Sequence, residues 1–392
     1  MAGTSPRESS PPGPPGPSRP PVRLAGLCDP VPPAFLPGPL RTRVAGIPVS
    51  DRLEPLLSGL TGPVVTVVAT PIHTHVDLAL TAVGQGSAVF LEKPPAPSLS
   101  GFRRLEDAVA RRGAAVQAGF QDLASQAADV LGSLVEAGAV GRLRGVGVAG
   151  VWCRDSAYYG RSDWAGRRRL DGRDVVDGVL TNPFAHAVAG GLRAAGARRV
   201  EDVVGIEVEL YRANPIEADD TSCVRIRTAG GTTLVVAATL AAARPEEPVV
   251  TVHGDRGRIE WRYKRGELRV YRTLSDGETS RHPATHVFEP PRLLANLVDH
   301  VVTPSIPLLV PLADTGAFTA VLEAVRRAPD PVPIPPGQVT EHLVPGNGPG
   351  DTGTVRRVVT GVAEAVHRAA GELGLFSEIG VPWARRGARS AS

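Results

Sequence analysis

A change of grammar near residue 121 constrains the fold of this 392-residue chain more than any other feature. Before it, short apolar runs alternate with helical patterns, the signature of strand–helix–strand units around a parallel sheet. The pattern predicts strands over 22–28, 64–69, 88–91 and 115–119, and helices over 51–60, 75–83 and 99–111. The β-branched run Val64 to Ala69 reads as a fully buried central strand. Beyond the change, strands follow one another directly, over 203–213, 221–228, 232–240, 249–253, 258–263 and 267–272. Turn chemistry at Ala229-Gly230-Gly231, Gly254-Asp255-Arg256-Gly257 and Arg265-Gly266 makes this an antiparallel meander. Helices over 125–137, 183–195, 291–302 and 312–327 should cover one of its faces.

The expected fold class is α/β plus α+β: an incomplete, doubly wound parallel sheet of Rossmann type, then an open antiparallel sheet domain covered by helices. The divisions are a disordered Pro/Gly/Ser/Arg leader over 1–21, the nucleotide-fold domain over 22–121 and the sheet domain over 122–335. Residues 336–392 follow as a Pro/Gly-rich linker (335–353) and a helical tail ending in Phe376-Ser377-Glu378-Ile379-Gly380-Val381-Pro382-Trp383. The formal charge is only +3 and the basic residues are scattered, which argues against a nucleic-acid groove. No apolar run is long enough to span a membrane. Cys28, Cys153 and Cys223 lie far apart with no Cys-x-x-Cys spacing, so neither a disulfide framework nor a zinc site is expected, and the expected compartment is the cytosol.

Lys93 is one of only two lysines in a chain that uses arginine for nearly all its positive charge. Arginine stays charged everywhere, whereas a lysine in a dry cleft can lose its proton near neutral pH and then take one from a hydroxyl. Lys93 follows the strand at 88–91, and ligands of such sheets bind outside the carboxyl ends of the strands, where Asp29 and Thr70-Pro71 also fall.

The ordered pair Val67-Val68-Ala69-Thr70-Pro71-Ile72-His73-Thr74-His75 and Glu92-Lys93-Pro94, with a helix between, resembles the Gfo/Idh/MocA oxidoreductases. The resemblance runs from about Val22 to Pro333, and 119–122, 164–167 and 209–213 further resemble a branch of dehydrogenases acting on sugars or polyols. It implies that Lys93 takes the proton from a substrate hydroxyl while hydride leaves the same carbon for the nicotinamide of NAD. Glu92 would position the lysine and the nicotinamide edge, a cis bond would precede Pro94, and Thr70, Pro71, His75, Glu92, Lys93, Pro94 and Gln121 would line the cofactor cleft. Asp29 would read the ribose and disfavour NADP by repelling its 2′-phosphate.

The family's histidine four residues after an acid is matched by His186, but Asn182 stands where the acid belongs. Asn182 followed by Pro183 also reads as a helix cap. Asp177 could supply the missing carboxylate if its loop folds back. Trp152, Arg154, Tyr158, Tyr159, Arg161, Trp164 and Arg167 cluster as a sugar site would, or as a loop packed on the sheet. His73 and His75 lack a third ligand, so no metal is expected.

A complete dinucleotide domain begins with a strand and a Gly-x-Gly-x-x-Gly turn; near the amino terminus, where that turn should fall, the sequence offers Gly13-Pro14-Pro15-Gly16, whose prolines have no N–H for a phosphate. Either the recorded start lies downstream of the true one, or the turn has been lost together with tight NAD binding. The latter leaves room for a non-catalytic sugar- or partner-binding protein; an NAD-dependent glycosidase is the third reading. The open sheet face should be sticky, giving a homodimer or homotetramer.

Overall fold

The computed structural model describes residues 22–31, 38–273, 280, 282–346 and 353–384. The leader and Gly13–Gly16 lie outside the described residues. The chain forms two compact units, divided between Leu60 and Thr61.

The first unit holds β1 (Leu27–Cys28), α1 (Gly38–Arg43), β2 (Val49–Ser50) and α2 (Leu53–Ser58), with β1 and β2 paired in parallel. The expected strand over 22–28 keeps only its last two residues, because Val22 and Leu24 are exposed. Asp29 follows β1 directly; its carboxylate accepts the Val31 N–H at 2.8 Å and is otherwise exposed.

The second unit opens with β3 (Val65–Val68), α3 (His75–Gly84), β4 (Ala88–Leu91), α4 (Leu99–Arg112) and β5 (Val116–Ala118), a parallel sheet in the order β3-β4-β5. Ser98 caps α4 by accepting the Gly101 N–H, and Gly113 closes it at φ 60°, the left-handed conformation glycine permits. The buried central strand is β4, with Val89 and Leu91 at 0% exposure, not β3. In this sheet β3 is an edge strand, and Val67 is 51% exposed.

There follow α5 (Gln126–Glu136), β6 (Leu143–Val151), α6 (Ser156–Tyr159), the hairpin β7 (Arg169–Leu170) with β8 (Arg173–Asp174), and α7 (Ala185–Ala194). The strands expected as one meander are β9 (Val203–Arg212), β10 (Thr221–Thr228), β11 (Thr233–Thr239), β12 (Val249–Gly254), β13 (Gly257–Arg262), β14 (Glu267–Arg272) and β15 (Ala284–Val287), but they form two antiparallel runs, β9–β11 and β12–β15, separated by β6. After them come α8 (Leu293–Val302), α9 (Gly316–Arg327) and β16 (Val332–Pro333). These strands form a nine-stranded sheet in the order β15-β14-β13-β12-β6-β11-β10-β9-β16. It is mixed: β6 runs parallel to β11, and β9 to β16, while the other neighbours are antiparallel.

Strand β6, at the centre of this sheet, escapes the sequence reading because Gly145, Gly147 and Gly150 dilute its apolar pattern. The missing side chains are what let other elements approach. A Cβ at Gly150 would lie 2.7 Å from the Phe184 ring, and one at Gly147 would lie 2.0 Å from the Ala370 carbonyl oxygen.

One face of the sheet packs on α5, α7 and α9 through a core that includes Val148, Val224, Leu234 and Trp261. Helix α8, expected on this face, packs instead against β4 and β5, where Gln117 Nε2 donates to Leu293 O at 2.8 Å and to Asn296 Oδ1 at 2.7 Å.

The opposite face corrects two expectations. The stretch read as a linker contains β17 (Val339–Val344), which pairs with β18 (Thr354–Val359) as an antiparallel hairpin. Helix α10 (Val362–Glu372) and the tail then lie across β6 and β11, so the face expected to be open is covered by the chain itself. Ala149, Val235, Ala237 and Cys223 from the strands meet Val366, Ala369 and Phe376. Arg225 forks between Glu207 at 2.9 Å and Glu378 at 2.6 Å, and the Ser377 N–H donates to Glu209 at 3.2 Å. Among the described residues no helix is long and apolar enough to cross a membrane.

Candidate active site

The site is built where β3 and β4 end, opposite the loop that enters α7. Lys93 follows β4 by one residue, and its bond to Pro94 is cis. The side chain runs inward, and Nζ donates to Asn182 O at 3.1 Å and to Asn182 Oδ1 at 3.0 Å. Burial pulls the Lys93 pKa down from the ordinary lysine value, while the charges of Glu92 and Asp177 pull it back up. Glu92 Oε2 accepts the Lys93 N–H at 3.2 Å and folds over Gly119, where a Cβ would come within 3.0 Å of it.

Asn182 does not act as a helix cap. Its amide donates to Asp177 Oδ1 at 2.6 Å while its two oxygens face the lysine, so it relays between a carboxylate and an amine. Asp177 is 7% exposed and carries two further donors, Gly166 N at 2.7 Å and Arg161 Nη2 at 3.1 Å. Burial raises its pKa, against the pull of these partners. The loop does fold back as the expectation for Asp177 required. Val176 turns it at φ 45°, a left-handed conformation that costs a β-branched residue about 1–2 kcal/mol. The Thr181 hydroxyl, bonded to Val176 O and accepting Gly178 N at 3.0 Å, holds that turn in place.

His186 sits in the first turn of α7, its ring edge against Phe120 and its Nδ1 2.9 Å from Asp122 Oδ2. The two atoms are close without forming a hydrogen bond, and His186 Nδ1 is buried without a hydrogen-bond partner. The acid facing His186 is therefore Asp122, not Asp177. The sequence signal for Asp122 was its place just beyond β5, at the same sheet edge as Lys93.

His75 is buried, with Nδ1 2.7 Å from Pro94 O and Nε2 2.7 Å from Thr70 O. It straps two turns together and leaves neither ring nitrogen for a cofactor. Burial lowers its pKa, although both carbonyls favour the charged ring. Thr70 and Pro71 are exposed beyond β3, and Gln121 is exposed after β5. His73 Nδ1 is buried without a partner. Among the described residues no group of three or more His, Cys, Asp and Glu side chains could hold a metal ion.

The ring cluster is largely gathered. Trp152 lies 4.3 Å from Phe184 between centroids, the Arg161 guanidinium stands 3.8 Å over Tyr158 and 4.6 Å from Trp164, and Tyr158 meets Tyr159 edge-on at 5.2 Å. Arg154 lies 4.9 Å over Tyr158 and 5.1 Å from Trp152. Burial pushes the Tyr159 hydroxyl far up in pKa, and it has no hydrogen-bond partner. Arg167 departs from the cluster: it reaches Glu217 at 3.7 Å on the surface, with both side chains half exposed.

A family model described as an oxidoreductase family with an NAD-binding Rossmann fold matches residues 17–120, and the model of the GFO/IDH/MocA C-terminal domain matches 130–260. Levoglucosan dehydrogenase of Pseudarthrobacter phenanthrenivorans is 25% identical over 225 residues, 52% of this chain and 56% of that one. The chain thus matches little more than half the length of this curated relative. Among solved structures, the WlbA dehydrogenase of Bordetella pertussis with NADH and UDP-GlcNAcA aligns at a TM-score of 0.61, 20% identity, 78% of this chain and 88% of that one. A levoglucosan dehydrogenase with NADH and levoglucosan aligns at 0.58, 19% identity, 73% of this chain and 83% of that one. These likenesses establish the fold.

Proposed function

Since the chain belongs to the Gfo/Idh/MocA oxidoreductase family, we propose that it is an NAD-dependent dehydrogenase of a sugar, inositol or related polyhydroxy substrate. The observation that carries this reading is the pairing of Lys93 with Asn182. A neutral amine has two hydrogens and one lone pair, and Asn182 offers two acceptors at 3.0 and 3.1 Å. Lys93 can therefore satisfy both hydrogens within the protein and keep its lone pair for a substrate hydroxyl. An aspartate at 182 would hold the lysine charged. The neutral amide lets burial lower the pKa instead, and Asp177 acts one residue further away.

The carboxyl ends of β3, β4 and β5 fit the nicotinamide end of NAD: exposed Thr70 and Pro71, Glu92 and Gln121 lie there beside Lys93, whose amine is turned to Asn182. A bound nicotinamide supplies the hydride acceptor. The described residues contain no glycine-rich turn for the pyrophosphate. Lys93 takes the hydroxyl proton, Asn182 holds the lysine, and His186, beside Asp122, has Nε2 to offer the substrate oxygen. A cytoplasmic setting fits the three free cysteines. A homodimer or homotetramer would have to use a surface other than the outer face of β6 and β11, which the tail covers.

The test is the pH dependence of kcat. A base must be unprotonated, so kcat rises with pH through the Lys93 pKa, below the ordinary lysine range because burial lowers it. Asp177→Asn removes a charge that raises this pKa, so the rising limb moves to lower pH. Asn182→Asp adds such a charge and moves the limb to higher pH. Limbs that stay where they are in both variants would remove Lys93 as the titrating base.

A further inference from the structure

The second lysine of the chain, Lys264, lies beside the same site. It follows Tyr263 in the short turn after β13, and its Nζ stands 4.2 Å over the Trp152 ring. That ring packs on Phe184, two residues beyond Asn182. Tyr263, in the same turn, is buried, and burial together with the Asp122 and Glu247 carboxylates pushes its hydroxyl up in pKa.

Trp152 thus carries two cations, Lys264 and Arg154. The other cations of the site have anions: Arg161 has Asp177, and Lys93 feels Glu92 and Asp177. Arg154 has a hydrogen bond to Cys153 O at 3.1 Å, but its Nε is buried without a partner, and among the described residues neither Arg154 nor Lys264 has a carboxylate in ion-pair range. Five of the six cation–ring contacts among the described residues fall in this cluster, so the rings act as a bed for cations and offer little free face to a sugar. Two like charges near one ring repel each other, and an anion bound by them lowers that repulsion.

We infer that the substrate carries an anionic group, a carboxylate or phosphate on the sugar, bound by Lys264 and Arg154 at Trp152. This deepens the dehydrogenase reading and rests on it for the orientation of the hydroxyl toward Lys93.

The experiment is equilibrium binding to the full chain in saturating NADH of D-glucose, D-glucuronate and D-glucose 6-phosphate. The expected result is that one acidic sugar binds at least about tenfold tighter than D-glucose, as a charged hydrogen bond warrants. The glucuronate and phosphate arms tell the two anions apart. Lys264→Met, at an exposed position, should abolish the preference while leaving D-glucose binding unchanged, and Lys264→Arg should restore it. Equal binding of neutral and acidic sugars, no binding of either acid, or a preference that survives Lys264→Met overturns the inference. Lys93→Met separates the two proposals, because it should lose turnover and keep the anion preference; turnover without Lys93 sinks the dehydrogenase mechanism and leaves the anion site standing.

Discussion

Replacing Lys93 by methionine should lower kcat about 10³-fold, the middle of the range for a general base, while NADH binds as before. Methionine fills the same volume along the inward path of the side chain, so the β4 turn and its strap through His75 to Thr70 and Pro94 stay in place. What is lost is the lone pair. Asn182 Oδ1 loses the amine it accepts from, which costs about 1–3 kcal/mol of stability for a group left unpaired, while Asn182 O keeps the Ala185 N–H at 3.3 Å. The discarded cost of burying an amine offsets part of this. Turnover of the best sugar substrate, NADH fluorescence titration and circular dichroism together separate the outcomes. A folded variant that binds NADH and still turns over within tenfold of the parent would show that another group takes the proton.

That Lys93 stood out in the sequence is a matter of contrast: one amine among arginines, at the carboxyl end of an apolar strand. The chemistry around it was less legible, because it depends on loop conformation. Asn182 before Pro183 has the local signature of a cap, and local signatures do not report that Lys93, 89 residues earlier, comes to within 3.0 Å. Asp122 faces His186 because the turn after β5 and the first turn of α7 are brought together by the sheet, a long-range contact without a spacing rule. Strands with alternating branched residues, β10 and β11 among them, were readable within a residue or so. Strand β6 was not, since its glycines carry no hydrophobic signal and are selected by what packs on them. The same cause hid the covering of the sheet: the tail's apolar residues were visible, but not the glycine surface on which they dock.

That surface gives a pair of identical substitutions with opposite signs. At Gly371, in α10, an added Cβ meets nothing within 4 Å, and the residue is helical, so Gly371→Ala should stabilise the protein by about 0.5–1 kcal/mol through helix propensity alone. At Gly147 the same methyl group would lie 2.0 Å from Ala370 O and 2.8 Å from its carbonyl carbon. Backbone cannot rotate away as a side chain can, so α10 must lift off β6. Overpacking of this kind costs about 3 kcal/mol, at the upper end of its usual range, because the apolar contacts of Val366, Ala369 and Phe376 with the sheet loosen together. Lifting the helix also uncovers Ala149, Val235 and Ala237, three apolar neighbours on one sheet face. Gly147→Ala should therefore unfold at lower denaturant, be cleaved by protease near residues 345–361, and elute at larger apparent size as concentration rises. If Gly147→Ala and Gly371→Ala change stability in the same direction, α10 does not seat on β6, and the outer face of the sheet is open to another subunit after all.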